Sequence, residues 1–424
     1  MVARALAVTK AFSLVLAGLT AGVLLAEVTL RVLTGTGTMA EFRSNALPIY
    51  DTAADGRPFT LRPNLDYVAR FNCGWTLECS MRIKLNDWGL RENRSTAELL
   101  AHESKILFMG DSFTFGYGVE QGERYSDLLN TVLNQKATAF SAGYSDGYSP
   151  VDYVVYLKTF YETLKPDMVV LGFFPENDLV HEVRARVLTR NERNEIISSK
   201  LADGFAVVDG YIARGSESGL TKAFVYGKNW LWEHLAFYRL IEGARNALRY
   251  KLHPERQSEL LPRALFGEFL DSEKDETETT LGAIKAMDDF LRRRGKTLVV
   301  FHIPSPFQVS RYYDRIYDRP GYMVSPDLRE KARQVLQPQT MLVRWFQENG
   351  IIYIDPTKEF RRREGLGAKL YFDSDGHWTR DGHRAAFEVL SRYLIEHALI
   401  PTAYLANRGV GVHTRRSNPV ASLS

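Results

Sequence analysis

The sequence lacks a strong excess of charge of one sign. Its 54 lysines and arginines nearly balance 51 aspartates and glutamates, which leaves a formal net charge of +3 over 424 residues. Short basic runs at 292–294 and 361–363 lie in helix-like or loop segments, where solvated surface is the usual environment. Nucleic-acid binding is therefore not expected. With 45% hydrophobic and 25% charged residues, the chain has the composition of a globular protein with a sizeable core.

Cysteine is scarce, since the chain has only Cys73 and Cys79, in "FNCGWTLECS". A metal site built on these thiolates would need further ligands that the neighbouring sequence does not offer. In an oxidising compartment two cysteines this close in sequence could close a hairpin loop as a disulfide, and the even number agrees with export. Two free thiols are the alternative.

Long hydrophobic runs are missing except at residues 11–26, "AFSLVLAGLTAGVLLA", which carry no charge and follow Arg4 and Lys10. The run is slightly shorter than the roughly 20 residues that span a bilayer, but flanking Lys10 and Arg31 could extend it by snorkelling. We expect residues 1–35 to form an uncleaved signal anchor, with a cleavable signal peptide as the alternative. Both interpretations export the rest of the chain, because the positive charges precede the apolar run.

From Lys105 onward, short apolar runs alternate with longer amphipathic patterns, as in "KILFM" followed by "RYSDLLNTVLNQ". Continuous apolar strands separated by amphipathic helices predict an α/β fold, a three-layer α/β/α sandwich with a parallel central sheet. Residues 36–104 are predicted to form a β-rich extension before this domain, which we place at 105–400. A long insertion interrupts the domain at about 183–278, and residues 401–424 are predicted to be a disordered tail.

The predicted insertion contains a hairpin that turns at Asp209 and Gly210, followed by an aromatic-rich helical segment at 228–252. The aromatic stripe of this segment is interpreted as core packing, with a ligand platform or pocket wall as the alternative.

Gly110, Asp111 and Ser112 directly follow the first apolar strand, in "ILFMGDSFTFGYGV". A serine that enters a helix through a glycine turn at a strand end is exposed at the rim of the sheet, which is a suitable geometry for a nucleophile. An ordinary turn and helix cap is the alternative. The same stretch has no lysine where a phosphate-binding loop needs one, so a nucleotide-binding protein is not expected.

A serine hydroxyl needs a base, and "YFDSDGHWTRDGH" supplies His377 two residues after Asp375. Both residues can occupy one strand-end loop, where the carboxylate would hold the imidazole tautomer. Asp373 is the competing carboxylate. His383, at the start of the last helix, is interpreted as a capping or packing residue.

Donors for an oxyanion are also present at strand ends. Asn177 follows the strand at 168–174, and Gly147 lies in the loop after the second strand, where its backbone N–H can approach a substrate closely. Each residue alone suits an ordinary turn. The order Ser, Gly, Asn, His on successive strand ends is hard to obtain by chance.

This set resembles the SGNH/GDSL hydrolase family over roughly residues 105–399, apart from the insertion. The resemblance implies a flavodoxin-like sandwich with Ser112 as nucleophile, His377 as general base and Asp375 as its orienting carboxylate. It further implies an oxyanion hole formed by the N–H groups of Ser112 and Gly147 and the side-chain amide of Asn177.

The sequence departs from the common family pattern in two blocks. Glu176 precedes Asn177 in "PEND", and Ser374 stands where an aspartate is common, three residues before His377. The Asp-x-His spacing, with Trp378 and Gly382 behind it, resembles membrane-anchored members and the acetyltransferase-like branch that modifies exported polysaccharides. The upstream stretch "LNDWGLREN" also resembles anchored bacterial members.

The expected function is that of a serine esterase at the cell membrane, single-pass and with its catalytic domain outside the cytoplasm, acting on an ester such as an O-acetyl group. An O-acetyltransferase of envelope polysaccharide and an inactive glycan-binding protein are the alternatives. The expected partners are an acylated small molecule or polysaccharide and the membrane, with no nucleic acid. This chemistry requires no cofactor and no metal.

Overall fold

The structure is a computed structural model. It describes residues 2–33, 47–74, 78–145, 147–202, 204–214, 219–235, 271–318, 326–335 and 338–406, together with short pieces between 237 and 252. Residues 34–46, and residues 407–424 of the predicted tail, lie outside the described residues.

The described strands are, in chain order, β1 Tyr50–Asp51, β2 Thr60–Leu61, β3 Asp66–Asn72, β4 Glu78–Lys84, β5 Ser104–Gly110, β6 Ala137–Gly143, β7 Met168–Phe173, β8 Arg186–Arg190, β9 Ile196–Leu201, β10 Phe205–Val208, β11 Tyr211–Arg214, β12 Thr297–His302 and β13 Ile352–Ile354. The described α-helices that we label are α1 Val2–Leu33, α2 Thr96–Leu100, α3 Ser112–Phe115, α4 Tyr125–Leu129, α5 Pro150–Leu164, α6 Pro175–Asp178, α7 His181–Arg184, α8 Gly219–His234, α9 Asp271–Arg292, α10 Pro306–Val309, α11 Pro326–Val335, α12 Gln339–Glu348, α13 Thr357–Gly365 and α14 Arg380–Glu396. Among the described residues, 3₁₀ segments lie at Arg311–Asp318 and Thr402–Tyr404.

Five parallel strands form the central sheet, in the order β13-β12-β7-β5-β6. Counted along the chain, this is the order 2-1-3-4-5 of a flavodoxin-like doubly wound sheet, so the predicted fold class is confirmed. In such a sheet, ligands bind beyond the carboxyl ends of the strands on either side of the point where the strand order reverses. Here that point lies between β5 and β7.

Helices cover both faces of the sheet because alternate strand residues point to opposite sides. Leu107 and Met109 of β5 pack into a core shared with α5, α9 and α12. Ile106 and Phe108 point to the other face, where α4, α10, α13 and α14 complete a second core. Both faces of each strand are therefore apolar, which explains the continuous hydrophobic runs in the sequence.

The extension before the sheet contains the predicted hairpin, formed by β3 and β4. Cys73 and Cys79 are joined in a disulfide at the end of this hairpin, in agreement with the predicted pairing. Phe71, opposite Cys79 in the ladder, is buried in the same core as the α5 face of the sheet. The hairpin is thus packed against the domain that carries the strand-end residues.

In the described part of the insertion, β8 pairs with β9 and β10 pairs with β11, both antiparallel. Asp209 and Gly210, with φ of 50° and 86°, form the predicted turn of the second pair. The expectation that the aromatic stripe at 228–252 packs in a core does not hold for Trp230, which is 46% exposed, and Phe224, just before that segment on α8, is 72% exposed. At the far end, α9 begins at Asp271, several residues before the predicted end of the insertion.

Helix α1 contains an 18-residue window, Ser13–Leu30, that is long and apolar enough to cross a membrane and is almost entirely exposed. At the other terminus, residues 401–406 are ordered, which corrects the predicted start of the tail. Leu405 forms a bridge with Leu133, and Asn134 donates to the carbonyl of Ala403 at 2.7 Å.

Candidate active site

Ser112 is the first residue of α3, directly beyond the carboxyl end of β5. Asp111 caps this helix, because its side chain accepts a hydrogen bond from the N–H of Phe113 at 3.1 Å. The helix ends after one turn at Gly116, which has a left-handed conformation with φ of 83°. The short helix therefore fixes the serine at the rim of the sheet.

Three glycines, side by side at the ends of neighbouring strands, leave room for the one-turn helix α3. Gly110 pairs with Gly143 on one side and with Gly172 on the other. A Cβ at Gly143 would lie 2.4 Å from the backbone nitrogen of Phe115, and one at Gly172 would lie 2.4 Å from Oγ1 of Thr114. Larger residues would push α3, and Ser112 with it, away from the strand ends.

His377 reaches Ser112 from the opposite end of the domain, 265 residues later, with 2.8 Å between its Nε2 and the serine Oγ. The imidazole lies between aromatic rings, with the ring centres of Phe113 and Tyr117 at 5.0 and 4.7 Å. Its side chain is only 18% exposed. The serine and histidine singled out in the sequence are thus in hydrogen-bond contact.

Asp375 lies behind His377, with 3.3 Å between its Oδ2 and the imidazole Nδ1. Its other oxygen accepts the backbone N–H of His377 at 2.9 Å. Asp373 instead lies 3.5 Å from the ammonium of Lys369. Asp375 is therefore the carboxylate with the contacts of an orienting group.

Asn177 lies on α6, which begins at Pro175, with one residue between Pro175 and the end of β7. Its Nδ2 donates to the Asp111 carboxylate at 3.2 Å, so the cap residue of α3 also orients this amide. An amide nitrogen carries two hydrogens, and the second remains available for a substrate oxygen.

Two carboxylates are buried beneath the site. Burial raises the pKa of Asp111 to about 6, against lowering contributions from the Phe113 N–H, His377 and Asn177. Burial also raises the pKa of Asp178 well above its usual value, and the nearby Asp111 charge raises it further. Asp111 is therefore mostly ionised at pH 7, and proton uptake near pH 6 would change the group that holds Asn177.

Gly147 has a left-handed conformation, with φ of 64°. Its Cβ position would lie 3.3 Å from Oε2 of Glu182 and 3.5 Å from a guanidinium nitrogen of Arg186. The start of the insertion thus borders this glycine. Its role as an oxyanion donor stays a prediction, as does that of the Ser112 N–H.

Glu176 belongs to the site but was noted in the sequence only as a departure from the family pattern. Its carboxylate accepts a hydrogen bond from the Tyr317 hydroxyl at 3.1 Å. Loss of hydration raises the pKa of Glu176 to about 7, while Ser305, Tyr317 and His377 act to lower it. The residue before Asn177 thus places a further titratable group near the histidine, besides Asp375 and Asp111.

Arg91, in the stretch "LNDWGLREN", is a further residue of the site that the sequence pattern does not identify. Its buried guanidinium donates to the carbonyls of Phe115, Gly116 and Val119, at 3.0, 2.6 and 2.7 Å. Arg91, which belongs to the extension before the sheet, therefore stabilises the C-terminal end of α3.

His383 has the predicted packing role. It is fully buried, and its ring stacks on Tyr125 with centres 6.1 Å apart. Burial lowers its pKa to about 3, so the imidazole stays neutral. Within the described part of the chain, no group of three or more His, Cys, Asp or Glu side chains could hold a metal ion.

No protein-family model matches the chain, and no curated protein matches its sequence. Solved structures do match it. An acetyl xylan esterase matches with a TM-score of 0.33 and 13% identity, over 68% of this chain and 99% of that one. A psychrotrophic esterase from a Pseudoalteromonas species has a TM-score of 0.32 and 10% identity, over 70% and 99% of the two chains.

A GDSL-like lipase from Bacteroides thetaiotaomicron VPI-5482 also has a TM-score of 0.32 and 10% identity, over 70% of this chain and 89% of that one. These solved structures to which the chain is similar are esterases and a GDSL-like lipase.

Proposed function

We propose that this protein is an exported, membrane-anchored serine esterase of the SGNH type, which cleaves O-acyl esters, O-acetyl esters first among them, through an acyl-enzyme. The observation that carries the proposal is the 2.8 Å contact between Ser112 Oγ and His377 Nε2, with the Asp375 carboxylate behind the imidazole. A nucleophile that contacts a base, which in turn contacts an orienting carboxylate, is the arrangement found in serine hydrolases.

In the first step, Ser112 Oγ attacks the ester carbonyl while His377 Nε2 accepts the serine proton. Asp375 stabilises the resulting imidazolium and keeps Nδ1 protonated. The His377 proton then passes to the leaving alcohol, which departs and leaves the acyl group on Ser112. In the second step, water attacks the acyl carbon while His377 accepts a proton from it. The bond to Ser112 Oγ then breaks, His377 returns the proton to the serine oxygen, and the acid is released.

The negative charge on the carbonyl oxygen needs donors that are already in place. We assign this role to the N–H groups of Ser112 and Gly147 and to the amide of Asn177. The hydrogen bond from Asn177 to Asp111 supports the assignment, because it fixes the amide orientation before substrate binds. Loss of one such donor costs on the order of 10²-fold in rate.

Membrane anchoring is proposed from α1, whose window Ser13–Leu30 is apolar and exposed. The positive charges of Arg4 and Lys10, which precede this window, favour a cytoplasmic N-terminus and an exported catalytic domain. An exported enzyme held at the membrane meets acylated glycans of the envelope, which we take as the substrate class.

Replacement of Ser112 by Ala tests the proposal. We expect Ser112→Ala to abolish turnover of p-nitrophenyl acetate and covalent labelling by a fluorophosphonate, because only the serine Oγ forms the covalent bond. Ser80→Ala, at an exposed position of β4, is the control and should react like the unmodified protein. An active Ser112→Ala protein would refute the assignment, and an unmodified protein that neither turns over ester nor takes up the probe would indicate a binding protein.

A further inference from the structure

Helix α8 of the insertion exposes large apolar side chains. Leu220, Phe224, Tyr226 and Trp230 are 86%, 72%, 63% and 46% exposed, whereas Val225 on the opposite side is buried. Scattered apolar residues on a surface are ordinary, but four on one short helix form a patch. Further exposed large apolar residues follow α8 among the described residues, at Leu240, Ile241, Leu248 and Leu252.

The exposed residues of α8 occupy one continuous arc. With 3.6 residues per turn, the order around the helix is Tyr226, Trp230, Leu220 and Phe224. Lys222 borders this arc on the tyrosine side and Lys228 borders it on the phenylalanine side, and both are exposed. Apolar and aromatic side chains flanked by lysines are typical of helices that lie in a membrane interface, where the lysine stems extend toward the head groups.

A contact ties the insertion to the membrane helix. Glu27 lies inside the window Ser13–Leu30, yet it is only 6% exposed and its carboxylate accepts the backbone N–H of Phe237 at 2.8 Å. A carboxylate within a membrane-spanning segment needs a polar partner. Here the partner comes from the insertion, three residues after the end of α8, near the end of the span from which the exported domain follows.

We propose that α8 docks on the lipid bilayer that holds α1, with its apolar arc in the head-group region and Lys222 and Lys228 beside lipid phosphates. This inference rests on the proposed anchoring of α1. Two attachments, α1 and α8, restrict rotation of the domain and hold its active site at the membrane surface. The preferred substrate is then an ester displayed at that surface.

A spin label tests the docking without reference to activity. Both native cysteines are in the disulfide, so Phe224→Cys gives the full-length chain one free thiol for labelling. Leu366→Cys, at a leucine that is 75% exposed, is the matched control. Both proteins are reconstituted in vesicles of phosphatidylcholine and phosphatidylglycerol, and collision of the label with lipid-dissolved oxygen is compared with collision with an aqueous nickel chelate.

We expect the ratio of oxygen to nickel accessibility to be several-fold higher for the label at position 224 than for the label at 366. Equal ratios would overturn the proposal. Low accessibility of the label at 224 to both reagents would also overturn the proposal. It would mean that the arc is covered by protein, either a second copy of this chain or another partner.

A second measurement links docking to substrate. In the same vesicles, the double variant Leu220→Glu with Phe224→Glu should hydrolyse water-soluble p-nitrophenyl acetate at the unmodified rate but a lipid-linked acetyl ester at least several-fold more slowly. Leu366→Glu should change neither rate. Equal losses on both substrates, or none on either, would contradict the inference about substrate. Failure of the unmodified protein on p-nitrophenyl acetate would refute the esterase and leave the spin-label result to decide docking.

Discussion

Two carboxylates in one loop, Asp373 and Asp375, could orient the imidazole of His377, and they differ in their contacts. Only Asp375 faces Nδ1, at 3.3 Å. We predict that Asp375→Asn lowers kcat for p-nitrophenyl acetate by on the order of 10³-fold, because an amide no longer stabilises the imidazolium or enforces its tautomer. Steady-state kinetics at pH 7 to 8 measure this loss.

Asp373→Asn is the matched control for that experiment. This residue lies beside the exposed Lys369, and a surface ion pair of this kind contributes little, so kcat should stay within about two-fold. A large loss in Asp373→Asn with little loss in Asp375→Asn would reverse the assignment of the two carboxylates.

The ionised, buried carboxylate of Asp111 is expected to lower the free energy of unfolding of the protein. Its pKa is about 6 in the folded chain, raised by burial, against an ordinary 3.8 when unfolded. The folded state therefore binds the proton more tightly than the unfolded state does, and stability falls as pH rises from about 4 to about 6. We predict that Asp111→Asn, which cannot ionise, is more stable than the unmodified protein above pH 6, by on the order of 2 kcal/mol.

Urea unfolding at pH 4 and pH 7.5 measures this difference in the free energy of unfolding. The gain should be small at pH 4, where the folded carboxyl is protonated, and full at pH 7.5. A difference that does not change between these two pH values would show that ionisation of Asp111 is not its cause.

At the scale of elements, the row of glycines at the ends of β5, β6 and β7 determines where the nucleophile helix can lie. We predict that Gly172→Ala lowers stability by about 1 to 3 kcal/mol, because its Cβ would lie 2.4 Å from Thr114 Oγ1 and 2.7 Å from the Tyr125 hydroxyl. The displaced α3 would move Ser112 from His377, so kcat should fall as well. Thermal unfolding and ester turnover are the measurements.

Gly282→Ala on α9 is the matched control. Nothing lies within 4 Å of its Cβ position, and the helix interior favours alanine over glycine by up to about 1 kcal/mol. This variant should be slightly more stable and fully active. If both alanine variants behaved alike, close packing of the glycine row against α3 would be excluded.

The sequence carries enough information to predict the fold and the contact between Ser112 and His377. Apolar strands alternating with helices imply a parallel sheet, and parallel strands end at one edge, so Ser112 and His377 could be expected to meet. The glycine row could not be predicted, because it depends on the register of three strands. The same holds for Arg91, whose carbonyl partners belong to a turn that is distant in sequence.

The exposed arc of α8 was missed for a different reason. An amphipathic pattern predicts that an apolar face is covered, but it does not say whether protein or lipid covers it. Core packing is the ordinary interpretation of the stripe that contains Trp230, and only the exposure of this residue and of Phe224 in the folded chain favours a membrane interface.

At the scale of the whole molecule, the disulfide depends on export and lies in a hairpin that packs next to the active site. The pair Cys73–Cys79 closes the β3–β4 hairpin, and Phe71 of this hairpin packs against Tyr117, with ring centres 5.5 Å apart. Tyr117 in turn contacts the ring of His377. Closing so short a loop stabilises a fold by about 2 kcal/mol, so reduction should lower both the melting temperature and the ester turnover.

We predict that the full-length chain, expressed in bacterial cells, carries this disulfide, whereas a chain without residues 2–33 carries two free thiols. Disulfides persist outside the cytoplasm and are rare within it, so the thiols report the compartment. Acid-trapped cells treated with a polyethylene glycol maleimide should show no shift of the full-length chain until reductant is added, and a double shift of the truncated chain at once. A full-length chain modified as readily as the truncated one would mean that α1 does not export the domain. The proposal of an esterase acting on envelope glycans would then lose its substrate, although the contact between Ser112 and His377 would be unaffected.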